Sequence, residues 1–559
     1  MVAKFNFTRK MNLVKVYDGK FIGGGLQLKS IDDDNDNGII WCPCLNLIFM
    51  IMNKTSIWVY RINGERIYSI NNKSIIKSIC FNDNGKYFVT CGAGTSTDGN
   101  GIIKIYDSNN GNLIKVLDLS FNKIDFIQWN LHTNQDASQQ SLFDINLLNK
   151  LPKVSSIDKQ EEGGLLEYLV IVDDSNNITL NFNKLLTITG IKLPQDYQIL
   201  QQLKTGLFDQ IFLVKHGDYN YKLLALKYNI VDKNILIDVL IKLCQLIKYQ
   251  DYVKSQLNDL YKQITPFIQL LDRYMSNLQS DINYPIANYL NDILLTGLIT
   301  DESTKDFWLN QFGERGYKKL NKLGNSSYDL CRQVIYQHLI SSNERMIILI
   351  NDLKGISIWL KDSNSKDDLG LNKCIIQELI SILKHQIKLY YKCLWDIQNE
   401  QKLFNQFLSW IKTSIIDRLS KEDEDQQEAS DNASISISDI LQYINGNLFN
   451  SVLCKYFPFE DDFETIRIGD PICNLIDEDN KLETKLKSLL SSVNSFHLSI
   501  FIFQEIKSIN LPSGYTSLNL QRSNEQQLLL YLIDKDSNLQ IMNVETNEFK
   551  TIPQHIYKQ

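Results

Sequence analysis

Two periodicities divide the chain. Through residue 232, apolar residues fall in short alternating runs broken by Gly, Asn and Asp, which is the grammar of strands and turns. From 233 to 420 they recur at three- and four-residue spacing and paint one face of long helices. An acidic flexible loop and helical connector are expected over 421–494, and strand-like runs return over 495–559.

The strand-like part repeats itself. In the segments 39–70 and 78–117, Trp41 matches Phe81, Leu47 matches Tyr87, Trp58-Val59-Tyr60 matches Lys104-Ile105-Tyr106, and Asn63-Gly64 matches Asn110-Gly111. A period of about 40–45 residues is that of a four-stranded propeller blade, with Asn-Gly closing a hairpin that needs positive φ. A third unit joins "FIQWNL" at 126–131 to "YLVIVDDSNNITLNF" at 168–182 across a polar insertion, and a fainter fourth covers 209–229. The Trp-Asp dipeptide of the best-known propeller repeat is absent from these units; Tyr106-Asp107 is nearest. A β-sandwich is the competing reading. The runs "LSIFIFQEI" at 498–506 and "LLLYLIDKDSNLQIMNVET" at 528–546 have the same strand-turn-strand form and are expected to complete the same ring, leaving no exposed sheet edge.

In the middle, Leu236, Val239, Leu243, Leu246, Val253, Leu257, Leu260 and Ile264 predict one long helix, kinked at Pro266. A second helical region is expected over 286–323, interrupted near Gly297. Tyr328, Cys331, Ile335, Leu339, Met346, Leu349, Leu353 and Ile356 define a third, and Ile375, Leu379, Ile382, Leu389, Cys393, Ile397, Phe404, Phe407, Ile411, Ile415 and Leu419 a fourth. Such one-faced helices must pack together, so the expected fold is mixed β and α: a propeller interrupted by a long antiparallel bundle of about four helices. The expected domains are blades over 1–232, bundle over 233–420, connector over 421–494 and closing strands over 495–559.

A length of 559 residues supports two or more domains. A net charge of −7 gives no global attraction for polyanions. The N-terminus has no apolar signal core, and runs such as "LNLIFMIM" at 45–52 are too short to span a bilayer, so a soluble, unsecreted chain is expected. Ten cysteines without framework spacing fit a reducing compartment. The stretch 420–439 reads as a solvated spacer whose serines are candidates for phosphorylation.

Candidate chemistry is sparse. "FGERGYKK" at 312–319 lacks the spacing of a phosphate loop and reads as an element that ends or bends a helix. Cys42 and Cys44 have no second pair at finger spacing. His132, His216, His338, His385, His497 and His555 are dispersed; only His338 and His385 could face one another across the bundle. The carboxylates of "FEDDFE" at 459–464 read as a solvated turn.

One stretch is more specific. Residues 308–359 place Trp308, Gly313, Glu314, Arg315, Gly316, Tyr328, Arg332, His338, Glu344, Arg345, Leu353, Gly355 and Trp359 in an order that closely resembles the helical domain of the family of anaphase-promoting complex (cyclosome) subunit 4. The helix at 395–420, with Trp395 and Trp410, and the opening blade with its Cys-Pro-Cys are similar to the same family. The resemblance implies a seven-bladed propeller interrupted by a bundle. It also implies a non-catalytic scaffold of a ubiquitin ligase that docks with subunits 1 and 5 and indirectly supports the cullin and RING subunits. Cell-cycle work in nucleus and cytoplasm is implied with it, without cofactor, metal, nucleic acid, membrane or small-molecule substrate. Two rivals are a scaffold of a vesicle-coat or tethering complex and an enzyme with a site at the propeller mouth. Whether Glu344 and Arg345 serve the bundle interior or an interface is open at this point.

Overall fold

The computed structural model describes residues 20–22, 38–132, 147–154, 166–299, 302–362, 369–421, 436–458, 474–510 and 515–552, apart from short loop positions within those ranges. Residues 422–435 of the acidic stretch, the "FEDDFE" turn and His555 lie outside them. Two compact units result. One comprises Met1–Leu142, Glu162–Cys244 and Asn494–Gln559; the other comprises Phe143–Glu161 and Gln245–Val493.

The first unit is built of five sheets, each ordered as its strands occur in the chain. They are β1 (Lys20–Ile22), β2 (Gly38–Trp41), β3 (Leu47–Met52), β4 (Ser56–Arg61) and β5 (Arg66–Asn71); then β6 (Ile75–Phe81), β7 (Tyr87–Ala93), β8 (Gly101–Asp107) and β9 (Leu113–Phe121). The third holds β10 (Ile124–His132), β11 (Leu166–Asp173), β12 (Asn177–Phe182) and β13 (Leu186–Lys192). The fourth holds β14 (Gln198–Gln202), β15 (Asp209–His216), β16 (Asn220–Tyr228) and β17 (Phe501–Asn510), and the fifth β18 (Tyr515–Arg522), β19 (Leu528–Asp534), β20 (Leu539–Asn543) and β21 (Phe549–Ile552).

These four-stranded antiparallel meanders are propeller blades, not the layers of a sandwich; β1 adds to the first in parallel. Five blades lie among the described residues, where the resemblance implies seven. The repeat seen in the sequence is the blade repeat. Trp41 and Phe81 end β2 and β6, Leu47 and Tyr87 open β3 and β7, and the two Asn-Gly turns carry Gly64 and Gly111 at φ 87° and 73°. Apolar side chains fill the space between successive sheets, with Phe49, Phe81 and Phe88 between the first two and Trp129 with Ile105 and Ile171 between the next.

The fourth blade is assembled from both ends of the chain. β16 pairs antiparallel with β17 from Asn220↔Asn510 to Tyr228↔Phe501. Just beyond, the Asn229 N–H donates to the Ile500 carbonyl at 2.9 Å. The segment 229–500 therefore occupies the place of a hairpin turn. The run read as a strand from 498 starts instead at Phe501, because 498–500 form the last turn of a helix.

The helices are α1 (Lys233–Ser280), α2 (Ile286–Thr296), α3 (Glu302–Asp306), α4 (Gly313–Val334), α5 (Ser341–Asp362), α6 (Lys373–Trp410), α7 (Asp417–Lys421), α8 (Ile437–Gln442), α9 (Val452–Tyr456) and α10 (Leu475–Ile500). π-helical turns at Phe307–Phe312, Ile335–Ile340 and Ile411–Ile416 join α3 to α4, α4 to α5 and α6 to α7. α1 is one helix of 48 residues with Pro266 inside it, as its apolar stripe predicts. One expectation needs correction. The boundary expected between 323 and 328 does not exist, since "KLGNSSYDL" lies in mid-α4. Gly297 does end α2, in left-handed conformation at φ 67°.

Residue numbers fall on one helix as they rise on its neighbour. Arg345 meets Tyr249 and Tyr328 meets Phe267; Asn343 meets Gln386 and Tyr328 meets Glu400. The rod α4–α5 thus runs antiparallel to both α1 and α6. Among the described residues, no helix is long and apolar enough to cross a membrane.

The β16–β17 register is directly testable. Lys227 and Ile502 are cross-strand partners, at a separation suited to a disulfide. The pair Lys227→Cys with Ile502→Cys should cross-link under mild oxidation, read as a mobility shift on a non-reducing gel. Lys227→Cys with Gln504→Cys should not, and the reverse pattern would refute the register.

Candidate functional site

The motif "FGERGYKK" lies where the π-helical turn Phe307–Phe312 passes into α4. Gly313 stands there at φ 47°, a conformation strained for any residue with a Cβ, and so it bends the chain. Rings close over the bend: Trp308 is buried, 5.1 Å from Phe307 and 5.6 Å from Phe312, with its indole N–H 3.4 Å from Tyr289 Oη. Gly316 is buried beneath Tyr274 and Phe312. Glu314 and Arg315 are exposed. Lys318 pairs with Glu314 at 2.7 Å and holds its carboxyl below the usual range, but an exposed i,i+4 pair contributes little to stability.

Tyr328 is a tie rather than a surface feature. Its ring packs against Phe267 and Phe404 at 5.5 and 5.6 Å, and its hydroxyl donates to Glu400 Oε1 at 2.8 Å. Glu400, on α6, is fully enclosed. Ser451 Oγ donates to it at 2.6 Å, Asn447 Nδ2 at 3.3 Å, and the Val452 N–H at the start of α9 also donates. Burial pushes this carboxyl up, and the four donors oppose that shift. Four donors match the acceptor capacity of a carboxylate, so one side chain fastens α4, α6 and α9 together. Gly324 explains the misread helix boundary: a Cβ there would stand 2.6 Å from the Phe404 ring. The Gly-Asn-Ser-Ser run resembles a turn, yet it is the smooth strip against which these rings lie.

Arg345 is likewise buried. It donates to the Pro152 carbonyl at 2.8 Å, to that of Leu151 at 3.3 Å and to Tyr249 Oη at 3.3 Å. Leu151 and Pro152 belong to the polar insertion between β10 and β11, whose residues 143–161 fall in the second unit. Nearby, the Asn343 amide donates to Gln386 Oε1 at 2.9 Å, and Gln386 in turn to the Glu478 carbonyl. Asp479 accepts from Gln250 at 2.8 Å; burial pushes its carboxyl up to about 6, with Gln250 and Lys254 opposing.

The remaining signature residues divide by exposure. Leu353 and Trp410 are buried, whereas Arg332, His338 and Glu344 are half-buried. Arg332 pairs with Asp329, and His338 Nδ1 lies 2.8 Å from Tyr252 Oη, its imidazole pKa lowered by burial. His385 is exposed. In the first unit, Cys42 is buried beside Gly85, and Cys44 donates to the Asp83 carbonyl at 2.9 Å. Gly355, Trp359 and Trp395 face outward; Trp359 is 40% and Trp395 66% exposed, and a Cβ on Gly355 would meet nothing within 4 Å. Sequence reasoning passed over Glu400 and Asp479, for which "QNEQ" and "DEDN" give no signal beyond polarity. It also passed over Tyr391, exposed one turn before Trp395 and legible from that spacing.

Against known proteins, a family model described as "Anaphase-promoting complex, cyclosome, subunit 4" matches residues 222–422. A second, described as "Anaphase-promoting complex subunit 4 WD40 domain", matches 39–132. Together they span more than half of the chain. Anaphase-promoting complex subunit 4 of Schizosaccharomyces pombe is 21% identical over 472 residues, 75% of this chain and 62% of that protein. The Homo sapiens protein of the same name is 28% identical over 108 residues, 19% of this chain and 13% of that one. The chain thus spans less than two thirds of the length of these relatives. The crystal structure of BamB from Moraxella catarrhalis aligns over 36% of this chain and 48% of that one, at 12% identity and a TM-score of 0.22, and carries no argument here.

Two outcomes follow from the buried carboxyls. Glu400→Gln sets an amide N–H₂ against two of the four donors and should cost roughly 1.5–3 kcal/mol by denaturant unfolding; unchanged stability would show that the tie is not made. Asp479, raised above its unfolded value of 3.8, favours the fold below that pH and loses the contribution as pH rises through about 6. The loss is about 3 kcal/mol at most. The thermal midpoint of Asp479→Asn relative to the parent should therefore be more favourable at pH 7.5 than at pH 5, and a pH-independent difference would contradict the assignment.

Proposed function

The chain belongs to the anaphase-promoting complex subunit 4 family, and from that membership we propose that it is a non-catalytic platform of this ubiquitin ligase. In this reading the propeller of 1–232 and 495–559 and the bundle of 233–420 are two docking bodies. They hold subunits 1 and 5 and so support the cullin and RING subunits during cell-cycle-dependent ubiquitination, in nucleus and cytoplasm. The observation that carries the reading is the outward placement of Trp359 and Trp395 on helices whose other faces are fully packed. Large aromatics at the surface are the anchors that interfaces favour. A scaffold role is supported as well by Glu400 and Asp479, whose raised carboxyl pKa values arise where their oxygens accept hydrogen bonds that join helices.

Affinity purification of the tagged full chain from its own cells, followed by mass spectrometry, tests this. Large cyclosome subunits, 1 and 5 among them, should be recovered with it. Recovery with coat or tethering proteins, or as a lone monomer that turns over a small molecule, would overturn the proposal.

A further inference from the structure

The outer face of α6 carries a pattern that the bundle interior does not use and of which the family signature takes only Trp395. Lys384, Lys388 and Lys392 stand at i, i+4 and i+8 and are exposed, so they line one side of the helix at steps of about 6 Å. Tyr391 and Trp395, at i+7 and i+11, continue the same stripe and are 51% and 66% exposed. The stretch 384–395, "KHQIKLYYKCLW", contains no carboxylate, in a chain of net charge −7. The acids that flank it are engaged elsewhere: Glu378 pairs with Lys485 at 2.6 Å, and Asp396 accepts from Tyr456 at 2.7 Å. None of the three lysines is paired with a described carboxylate.

Lysines alone would be an ordinary solvated face. Two large aromatics in line with them are not, because their apolar area gains only when it is covered. We propose that this stripe docks an acidic amphipathic helix of another polypeptide. Carboxylates one turn apart on such a helix repeat at the spacing of Lys384, Lys388 and Lys392, and its apolar residues seat on Tyr391 and Trp395. A nucleic acid fits less well. The stripe has no arginine, the side chain best shaped for phosphate, and the net charge of the chain repels a polyanion at long range. That the partner is a fellow subunit rests on the platform reading above; the chemistry of the surface rests on the stripe itself.

The test places a photo-crosslinking benzoylphenylalanine at Tyr391, and separately at Trp395, in the full chain in its own cells. The complex is purified and the cross-linked peptide sequenced. The expected peptide comes from another protein and carries three or more Asp or Glu at helical spacing among apolar residues. Adding Lys388→Glu should lower the cross-link yield at least fivefold with an unchanged thermal midpoint. Cross-links to nucleic acid, to this chain or to a segment without acids, no cross-link at all, or a yield indifferent to Lys388→Glu would each overturn the proposal. Subunits 1 and 5 are scored in the same samples. Their co-purification without the cross-link sinks the stripe alone. The cross-link to an acidic helix without those subunits keeps the stripe and sinks the platform reading.

Discussion

The pairing of Tyr228 with Phe501 is the constraint on which the rest of the architecture depends. A hairpin normally closes over a few residues, whereas here the chain leaves β16 and returns to β17 only after 229–500. Closing a flexible loop of that length would cost about 4 kcal/mol more than closing a two-residue turn. The cost is offset because the two ends of the insertion are themselves ordered next to the strands. The Asn229 N–H reaches Ile500, the Cys244 thiol reaches the Phe182 carbonyl, and the Thr189 N–H donates to Asn494. His497, buried and held near a pKa of 4 by that burial, lies 6.1 Å from the Phe501 ring. The first turns of α1 and the last of α10 thus act as a splint at the point of departure, and the blade ladder continues as though a short turn joined it.

Within the bundle, apolar stripes hold the helices together but leave their register underdetermined, since a stripe can slide by one turn with little loss of buried area. The enclosed polar groups remove that freedom. Glu400 has its donors satisfied only when Tyr328, Asn447, Ser451 and the first N–H of α9 are all in place. Arg345 is satisfied only when the segment carrying Leu151 and Pro152 has come in from the interval between β10 and β11. Each group is costly to bury alone and acceptable only in the complete arrangement. Removing a partner is therefore felt as an unsatisfied buried charge, and not merely as one lost contact.

How much of this was legible follows from the kind of signal each element leaves. Alternation and the Asn-Gly turns marked the first two blades strand by strand, because hairpins are local. The three-and-four pattern marked α1 and α6 for the same reason. Gly324 misled because glycine is a turn signal only when nothing fills the space its side chain would take; here Phe404 and Phe267 fill it. The π-helical turn Ile335–Ile340 inserts an extra residue per turn and shifts the buried face, so that the second half of α4 and α5 read as one helix with an irregular stripe. Glu400 left no trace, since a glutamate between Asn399 and Gln401 looks like solvent-facing polarity until the helices that enclose it are assembled.

The fate of the signature residues argues for two separate roles under one motif. Trp308, Tyr328, Arg345 and Trp410 point inward and specify how the helices meet. Gly355 does not have that explanation: glycine in a helix interior costs about 1 kcal/mol relative to alanine, and among the described residues nothing stands within 4 Å of where its Cβ would be. Trp359, one turn on, is exposed on the same side. A residue that weakens its own helix, leaves a shallow notch and adjoins an outward indole fits the docking role proposed above. In that proposal the inward set makes the rod rigid, and the outward set is the face it presents.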